Sequence, residues 1–356
     1  MLKTFMPSLL PIQIDAQEHI KLLRHTIRVS RTLERLCQNV KISPVRSDLL
    51  SVFSLIEAVK SNSIEGTQTT FDEMMEAEVT KKFSNEKIEV SNYDRALNYG
   101  RKQIIENKVE IDNKMLCEIH KIILEGSRGE KKNPGKFRNK QNWIKDSQNI
   151  MYIPPEAKYI DELMNNLIEF INYNDYEPLM AIGIIHAQFE TIHPFADGNG
   201  RVGRILIPLY LLKHNVCGNF DIFISDELEK NKYKYYTLLN NIRKDRPEWY
   251  EWLDFFLSSI ENQALRYIEK TDKIVEIYSK YINDKNIENS AIAQKILITS
   301  MQNIIFNSSL IAEATDVSLA TVNKWLKYFV DIKMLYTDSK QRHKVYRFYE
   351  LLDAIR

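Results

Sequence analysis

A mainly helical protein is what this sequence predicts, and three observations predict it. Glycine and proline number only ten each in 356 residues, about half their usual combined share, which leaves few formers for the many tight turns of an all-β architecture. Apolar residues recur at three- and four-residue spacing along most of the chain. Strand-like stretches are short and confined to two places. With 44% apolar residues a sizeable core is within reach. At roughly 150 residues per domain, the length gives a prior of two to three domains.

Lys+Arg 49 against Asp+Glu 48 leaves a formal charge of +1, so no global field recruits nucleic acid or membrane, and a charge-driven partner needs a local patch. The three cysteines Cys37, Cys117 and Cys217 form no CxxC pair. The start, Met1-Leu-Lys-Thr-Phe-Met-Pro7, has too short an apolar part for a signal peptide. The apolar run Ile205-Leu-Ile-Pro-Leu-Tyr-Leu-Leu212 falls well below the ~18 residues of a membrane span. A cytoplasmic protein with no membrane partner is expected.

Taken in order, residues 1–110 read as a helical region. Leu49, Phe53, Ile56 and Val59 recur at helical spacing behind Ser47-Asp48, a plausible N-cap. Residues 111–262 follow, with a clear stripe at Leu163, Leu167, Phe170 and Ile171 after Pro154-Pro155. Within them lies a turn-rich stretch from Gly126 to Gly135. The short pair Gln141-Asn-Trp-Ile144 and Met151-Tyr-Ile153, joined by a polar loop, reads as a β-hairpin. Residues 263–285 read as a charged connecting helix, and 290–356 as two short helices with an alternating Lys344-Val-Tyr-Arg-Phe-Tyr349. The chain thus divides at 1–110, 111–262 and 263–356.

The chemistry concentrates in His193-Pro-Phe-Ala-Asp-Gly-Asn-Gly-Arg-Val-Gly-Arg204. Gly198, Asn199 and Gly200 allow successive N–H groups to converge as an anion-binding nest. Val202, Ile205, Leu206 and Leu209 behind them have helical spacing, so the nest opens a helix N-terminus, where an anion is favoured. Arg201 and Arg204 share a face three residues apart, and two guanidinium forks suit a polyphosphate. Asp197 would repel that ligand unless a cation lay between them. Mg²⁺, which takes one carboxylate plus phosphate oxygens, fits. His193 is a base at neutral pH. Together these features point to transfer of part of a nucleotide to a hydroxyl.

Gly198, Gly200 and Gly203 also match the dinucleotide fingerprint, with Asp221 near the place of a ribose-binding acid. That fingerprint follows a strand, whereas Ala181-Ile-Gly-Ile-Ile-His-Ala-Gln-Phe-Glu190 reads as helix. A purely structural helix start leaves Asp197, Arg201 and Arg204 without a joint purpose. Pro208, in the third turn, costs ~3 kcal/mol in a regular helix, so a kink is expected there.

The segment resembles the signature of the Fic (Fido) family, His-x-Phe-x-(Asp/Glu)-Gly-Asn-Gly-Arg-x-x-Arg, with every fixed position present. The resemblance implies a Fic-type helical core with a small β-hairpin flap and a C-terminal winged-helix domain. It further implies a protein adenylyltransferase that moves AMP from ATP to a Ser, Thr or Tyr hydroxyl of a protein target, itself included. By the same resemblance His193 is the base, Phe195 anchors the loop, and Asp197 holds Mg²⁺. ATP is expected on Glu65, His193, Gly198, Asn199, Gly200, Arg201, Val202, Gly203, Arg204 and Tyr236, with Arg204 on the γ-phosphate. Tyr233 and Tyr235 compete with Tyr236 for the adenine pocket, and His186 reads as a packed core histidine.

Ser61-Asn-Ser-Ile-Glu65-Gly66 resembles the family's inhibitory motif, (Ser/Thr)-x-x-x-Glu-(Gly/Asn). Gly66 reads as the residue just past a helix end, and Thr70-Phe-Asp-Glu73 as a capping box opening the next helix. Glu65 then sits at a helix C-terminus, where negative charge is disfavoured, which marks it as functional. The resemblance pairs it with Arg204 and makes the pair inhibitory. The hairpin matches the family's flap, with Gln141, Asn142, Trp143, Ile144, Met151, Tyr152 and Ile153 offered to an extended target segment.

In the tail, Ser309 to Ser318 followed by Leu319 to Phe329 reads as helix–turn–helix, and the basic Lys340 to Lys344 hairpin completes a winged-helix pattern. Residues 290–356 hold nine Lys/Arg and six Asp/Glu, a net of +3, whereas a committed DNA reader is usually more basic. DNA and protein partners for the wing both stay open, as does a homodimer. Two further readings stand beside the transferase: a nucleotide-sensing DNA-binding regulator, and removal of AMP by the same site.

Overall fold

In a computed structural model, residues 4–43, 46–146, 149–338 and 344–355 are described, apart from the side chains at 46–49, 145–146 and 149–151. The chain runs through α1 (Ala16–Ile42), α2 (Arg46–Ile64), α3 (Phe71–Thr80), α4 (Asn85–Ile105) and α5 (Asn113–Leu124) into a hairpin, β1 (Ile144–Asp146) and β2 (Asn149–Tyr152). It continues through α6 (Ile160–Tyr173), α7 (Pro178–Ile192), α8 (Asn199–Lys213), α9 (Ser225–Lys230), α10 (Lys232–Asn241) and α11 (Trp249–Ile282). The last part comprises α12 (Lys285–Glu288), α13 (Ala291–Asn303), β3 (Ile305–Asn307), α14 (Ser308–Thr315), α15 (Leu319–Asp331), β4 (Tyr336–Thr337), β5 (Val345–Arg347) and α16 (Tyr349–Ile355). The mainly helical expectation holds. Among the described residues no helix is long and apolar enough to cross a membrane.

Two compact units form, neither continuous in sequence: 1–34 with 56–68 and 85–264, and 35–55 with 69–84 and 265–356. The first is organised around α7 and α8. Every residue of α7 from Leu179 to Ile192 is buried, as a helix apolar all round must be. Its start is set by Pro178 at the first helical position and by Glu177, whose carboxylate accepts the Leu179 N–H at 2.8 Å. Around this centre α6 packs on α7, while α4 and α5 pack on α8. The stripe Leu163, Leu167, Phe170 and Ile171 is the buried face of α6, as its spacing requires. The α4–α8 approach is close enough that a Cβ on Gly100 would collide with Leu209. Helix α8 runs through Pro208 as one element.

The hairpin differs from its expected bounds. Lys145 pairs with Ile150 and Asp146 with Asn149, so residues assigned to the loop belong to the strands, while 141–143 precede them. The reason is local: the Gln141 amide donates to Pro154 O at 2.9 Å and the Asn142 amide to Phe195 O at 3.2 Å, so this stretch is tied to loops rather than laddered.

In the second unit α13, α14 and α15 pack together, and β3, β5 and β4 form an antiparallel sheet in that order. Asn307, Ser318 and Ser290 cap their helices by accepting the N–H groups of Leu310, Thr321 and Ala293. Ile311, Val322, Leu326, Phe329 and Phe306 fill the space between. Strand β3 lies between two of these helices and was absent from the sequence reading. The Thr70–Glu73 capping box is present in both directions. The expected 263–285 helix is the second half of the 34-residue α11. The side chains of Ser47 and Asp48, and residues 340–343 of the basic hairpin, lie outside the described residues.

Candidate active site

The site is assembled where the loop between α7 and α8 meets the end of α2. Helix α7 closes on His193 in the left-handed region, at φ 51°, and α8 opens on Gly198 at φ 76°. Asn199 staples the turn between them: its Oδ1 accepts Phe195 N–H at 2.8 Å and its Nδ2 donates to Phe195 O at 2.9 Å. Its side chain therefore shapes the loop. Phe195 is wholly buried, stacked on the His120 ring at 3.8 Å.

His120 was not anticipated. Its Nδ1 accepts Gly135 N–H at 2.9 Å, which leaves Nε2 protonated to donate to Asp197 O at 3.0 Å. Burial pushes its pKa down to about 4, so it stays neutral. Arg138 is a second unanticipated brace, donating from Nε to His193 O at 2.9 Å and from NH2 to Pro155 O at 2.6 Å. Arg243 donates to Thr191 Oγ1 and Glu190 O, and lies 3.9 Å over the Tyr152 ring. Each ties the His193 loop to the flap or to the helix behind it.

The end of α2 is a Schellman motif: Gly66 N–H bonds Ser63 O, and Thr67 N–H bonds Asn62 O. Gly66 has φ 94°, as its expected place past the helix demands. This aims Glu65 at α8. Arg204, 1% exposed, donates to Ser61 Oγ at 2.8 Å, to Ser61 O at 3.0 Å and to Glu65 Oε1 at 2.6 Å. Burial works to raise the Glu65 carboxyl, but the charge and hydrogen bond of Arg204 hold it below its ordinary value. A Cβ on Gly200 would collide with this pair. The pair therefore lies directly against the glycine nest.

Arg201 is buried as deeply yet bonded differently. Its Nε and NH1 find no hydrogen-bond acceptor among the described residues, and the nearest carboxylate, Glu89, is 3.8 Å away. His193 Nδ1 and Glu190 Oε1 are likewise buried without a partner. Burial, reinforced by Arg243 and Arg138, pushes the His193 pKa down to about 3, so the imidazole is neutral. Glu190, against Gly203, is raised to about 7 by burial.

Asp197 is half-exposed, and its Oδ1 accepts the Gly198 N–H at 2.7 Å. Among the described residues no group of three or more metal-ligating side chains forms. Asp197 alone offers one carboxylate, which suits Mg²⁺ only where waters and phosphate oxygens supply its other positions.

Of the tyrosines, Tyr233 is 88% exposed and Tyr235 is buried, bonded to His186 Nε2 at 2.8 Å. Tyr236 is 39% exposed, and its hydroxyl is raised by burial and by the charge of Glu65. His186 is a core histidine, its Nδ1 on Gly203 O. In the flap, Trp143 is exposed, whereas Tyr152 turns inward with its hydroxyl on Thr191 O at 2.8 Å. Ile144 is half-buried, Ile153 O accepts Phe5 N–H, and the Met151 side chain lies outside the described residues.

Two family models match this chain, the Fic/DOC family over residues 110–211 and the Fic/DOC family N-terminal region over residues 23–102. The chain belongs to the Fic/DOC family. Both halves of the site lie within these matches, Ser61 and Glu65 in the N-terminal one and residues 193–204 in the other.

Among curated relatives, a protein of Nematostella vectensis named protein adenylyltransferase Fic is 28% identical over 189 residues, covering 51% of this chain and 41% of the relative. A protein of the same name from Aedes aegypti is 25% identical over 184 residues, covering 51% and 34%. The match thus spans about two fifths or less of these Fic proteins. Among solved structures, a Fic family protein from Desulfovibrio desulfuricans superposes with TM-score 0.59 at 18% identity, covering 95% of this chain and 97% of the other. A Fic domain-containing signalling protein from Bacteroides thetaiotaomicron gives 0.57 at 17%, covering 68% and 97%. These two establish the Fic fold of this chain.

Proposed function

We propose that this protein is an adenylyltransferase that moves AMP from ATP to a hydroxyl side chain of a protein, itself included, and that Glu65 restrains it. The observation that carries the reading is the contrast within one nest: Arg204 is held by Glu65 at 2.6 Å, while Nε and NH1 of Arg201, buried beside it, meet no acceptor among the described residues. Curated Fic relatives bear the name protein adenylyltransferase, which supports the same chemistry.

In this reading residues 198–203 and Arg201 seat the phosphates, with Tyr236 beside the adenine. Arg204 takes the γ-phosphate once Glu65 withdraws. Asp197 would hold Mg²⁺, which supplies charge neutralisation of the phosphates. The target hydroxyl, presented along the flap beside Trp143, attacks the α-phosphorus. His193 accepts its proton, the α–β bond breaks, and pyrophosphate leaves. Glu65 on Arg204 denies the γ-phosphate its seat and holds ATP out of line for that attack. Residues 290–355 are read as a winged helix on the order of their helices and strands.

The test is incubation with α-labelled ATP. Protein-linked label is expected, raised in Glu65→Gly and removed in His193→Ala with ATP still bound. Label retained in His193→Ala would refute the base, and no gain in a folded Glu65→Gly would refute the restraint.

A further inference from the structure

Glu89, on α4, gathers three partners from separate parts of the first unit. It is 3% exposed, and its two oxygens accept Arg128 Nε at 2.8 Å and NH2 at 3.0 Å, a bidentate fork. Oε2 also accepts the Thr67 hydroxyl at 3.3 Å and lies 3.8 Å from Arg201 NH1. That last separation gives attraction without a hydrogen bond. Arg128 belongs to the loop after α5, and its side chain is 58% exposed. A Cβ on the next residue, Gly129, would stand 3.2 Å from Asp197 Oδ2, so this loop borders the phosphate site.

We propose that Glu89 is a second restraint on the triphosphate seat: a carboxylate that competes with the phosphates for Arg201, with Arg128 setting how strongly it competes. This rests on the reading of residues 198–204 as that seat. A buried acid whose only task was to neutralise Arg201 would bond it directly. Here the Arg128 fork and the Thr67 hydroxyl occupy the oxygens, and Nε and NH1 of Arg201 have no acceptor among the described residues. Burial opposes ionisation of Glu89, but the Arg128 hydrogen bond and the Arg201 charge hold its carboxyl below the ordinary value, so it is charged at neutral pH. The three groups together carry one net positive charge. Neutralising Glu89 makes it two, facing an anion. Removing Arg128 frees Glu89 to close on Arg201.

Titration calorimetry with ATP and with adenosine on the full chain tests this, in the natural sequence and in Glu65→Gly. Glu89→Gln is expected to bind ATP roughly five- to tenfold more tightly in both backgrounds, the scale of one unit charge a few ångströms away under strong screening. Adenosine affinity should stay unchanged. Arg128→Gln, at an exposed position, is expected to weaken ATP binding. Unchanged ATP affinity in both variants overturns the proposal, as does an equal gain for adenosine, which would mean a loosened pocket rather than a charge effect. Loss of the gain in Glu65→Gly overturns it too, since Glu89 would then act only through Glu65. If Glu89→Gln fails to fold, Arg128→Gln decides alone, and an unchanged or tighter ATP affinity sinks the idea. Should no variant bind ATP, Glu65→Gly included, the triphosphate reading itself is what fails.

Discussion

Arg201 and Arg204 stand one helical turn apart, both inside the protein, and their surroundings are opposite. Arg204 has a hydroxyl, a carbonyl and a carboxylate on its guanidinium. Arg201 has a carboxylate out of bonding range and two buried nitrogens without an acceptor. Leaving charged donors unsatisfied is costly, so the difference teaches that the protein itself holds one arginine, and that the proposed phosphate seat gives the other the acceptors it lacks among the described residues.

The largest expected effect is on stability. Arg204→Ala strips the bonds from Ser61 and leaves Glu65 without its cation, a loss of about 3 kcal/mol, at the low end for a buried pair because Glu65 is partly solvated. Thermal unfolding should register it at roughly 1–2 °C per kcal/mol for a chain of this length. Arg201→Ala leaves Glu89 in its Arg128 fork and should cost less than half as much. Equal losses would erase the distinction. Next in size, Arg201→Ala should weaken ATP binding about thirtyfold, the worth of about 2 kcal/mol in charge-assisted hydrogen bonds, measured by calorimetry in the Glu65→Gly background. Binding left intact would remove Arg201 from the seat.

A smaller effect belongs to Ser61→Ala, which deletes one of three Arg204 partners. Its cost is about 1 kcal/mol, and labelling should rise, though less than in Glu65→Gly. A fall would show that Ser61 positions Arg204 for catalysis instead. The smallest is a null result with a sign behind it. The depressed Glu65 pKa means that the pair is intact above the ordinary carboxylate range and is lost only as pH falls through the depressed value. The ratio of Glu65→Gly labelling to that of the natural sequence should therefore hold steady from pH 8 to 5.5. A ratio collapsing toward one near pH 6 would mean that a different group works the restraint.

The core of the site was legible because its chemistry is written consecutively. Residues 193–204 hold an imidazole, a carboxylate, three glycines with an asparagine, and both arginines within twelve positions. Glu65 was legible as a charge at the wrong end of a helix, and its partner came from resemblance. Glu89, His120, Arg138 and Arg243 were not, because the contacts that tie His120 to Asp197, Arg138 to His193 and Arg243 to Thr191 each span 52 or more residues, and that of Glu89 with Arg128 spans 39. A signal did exist for two of them. Glu89 shares a buried face with Val90, Tyr93 and Leu97, and His120 one with Leu116, Ile119 and Ile123. An ionisable residue in such a stripe must have found a partner. The strand bounds of the hairpin were misjudged because polarity was taken to mean loop, whereas Lys145, Asp146 and Asn149 ladder with each other's strand.

The backbone of His193 carries its own consequence. At φ 51° it occupies a conformation natural to glycine and tolerated by asparagine, at a cost of about 1–2 kcal/mol for other side chains. With His193 as the proposed base, thermal robustness and turnover would select opposite residues at this one position. A chain drifting free of selection for activity would gain melting temperature by losing its imidazole, and Asn or Gly at 193 is the mark such drift would leave.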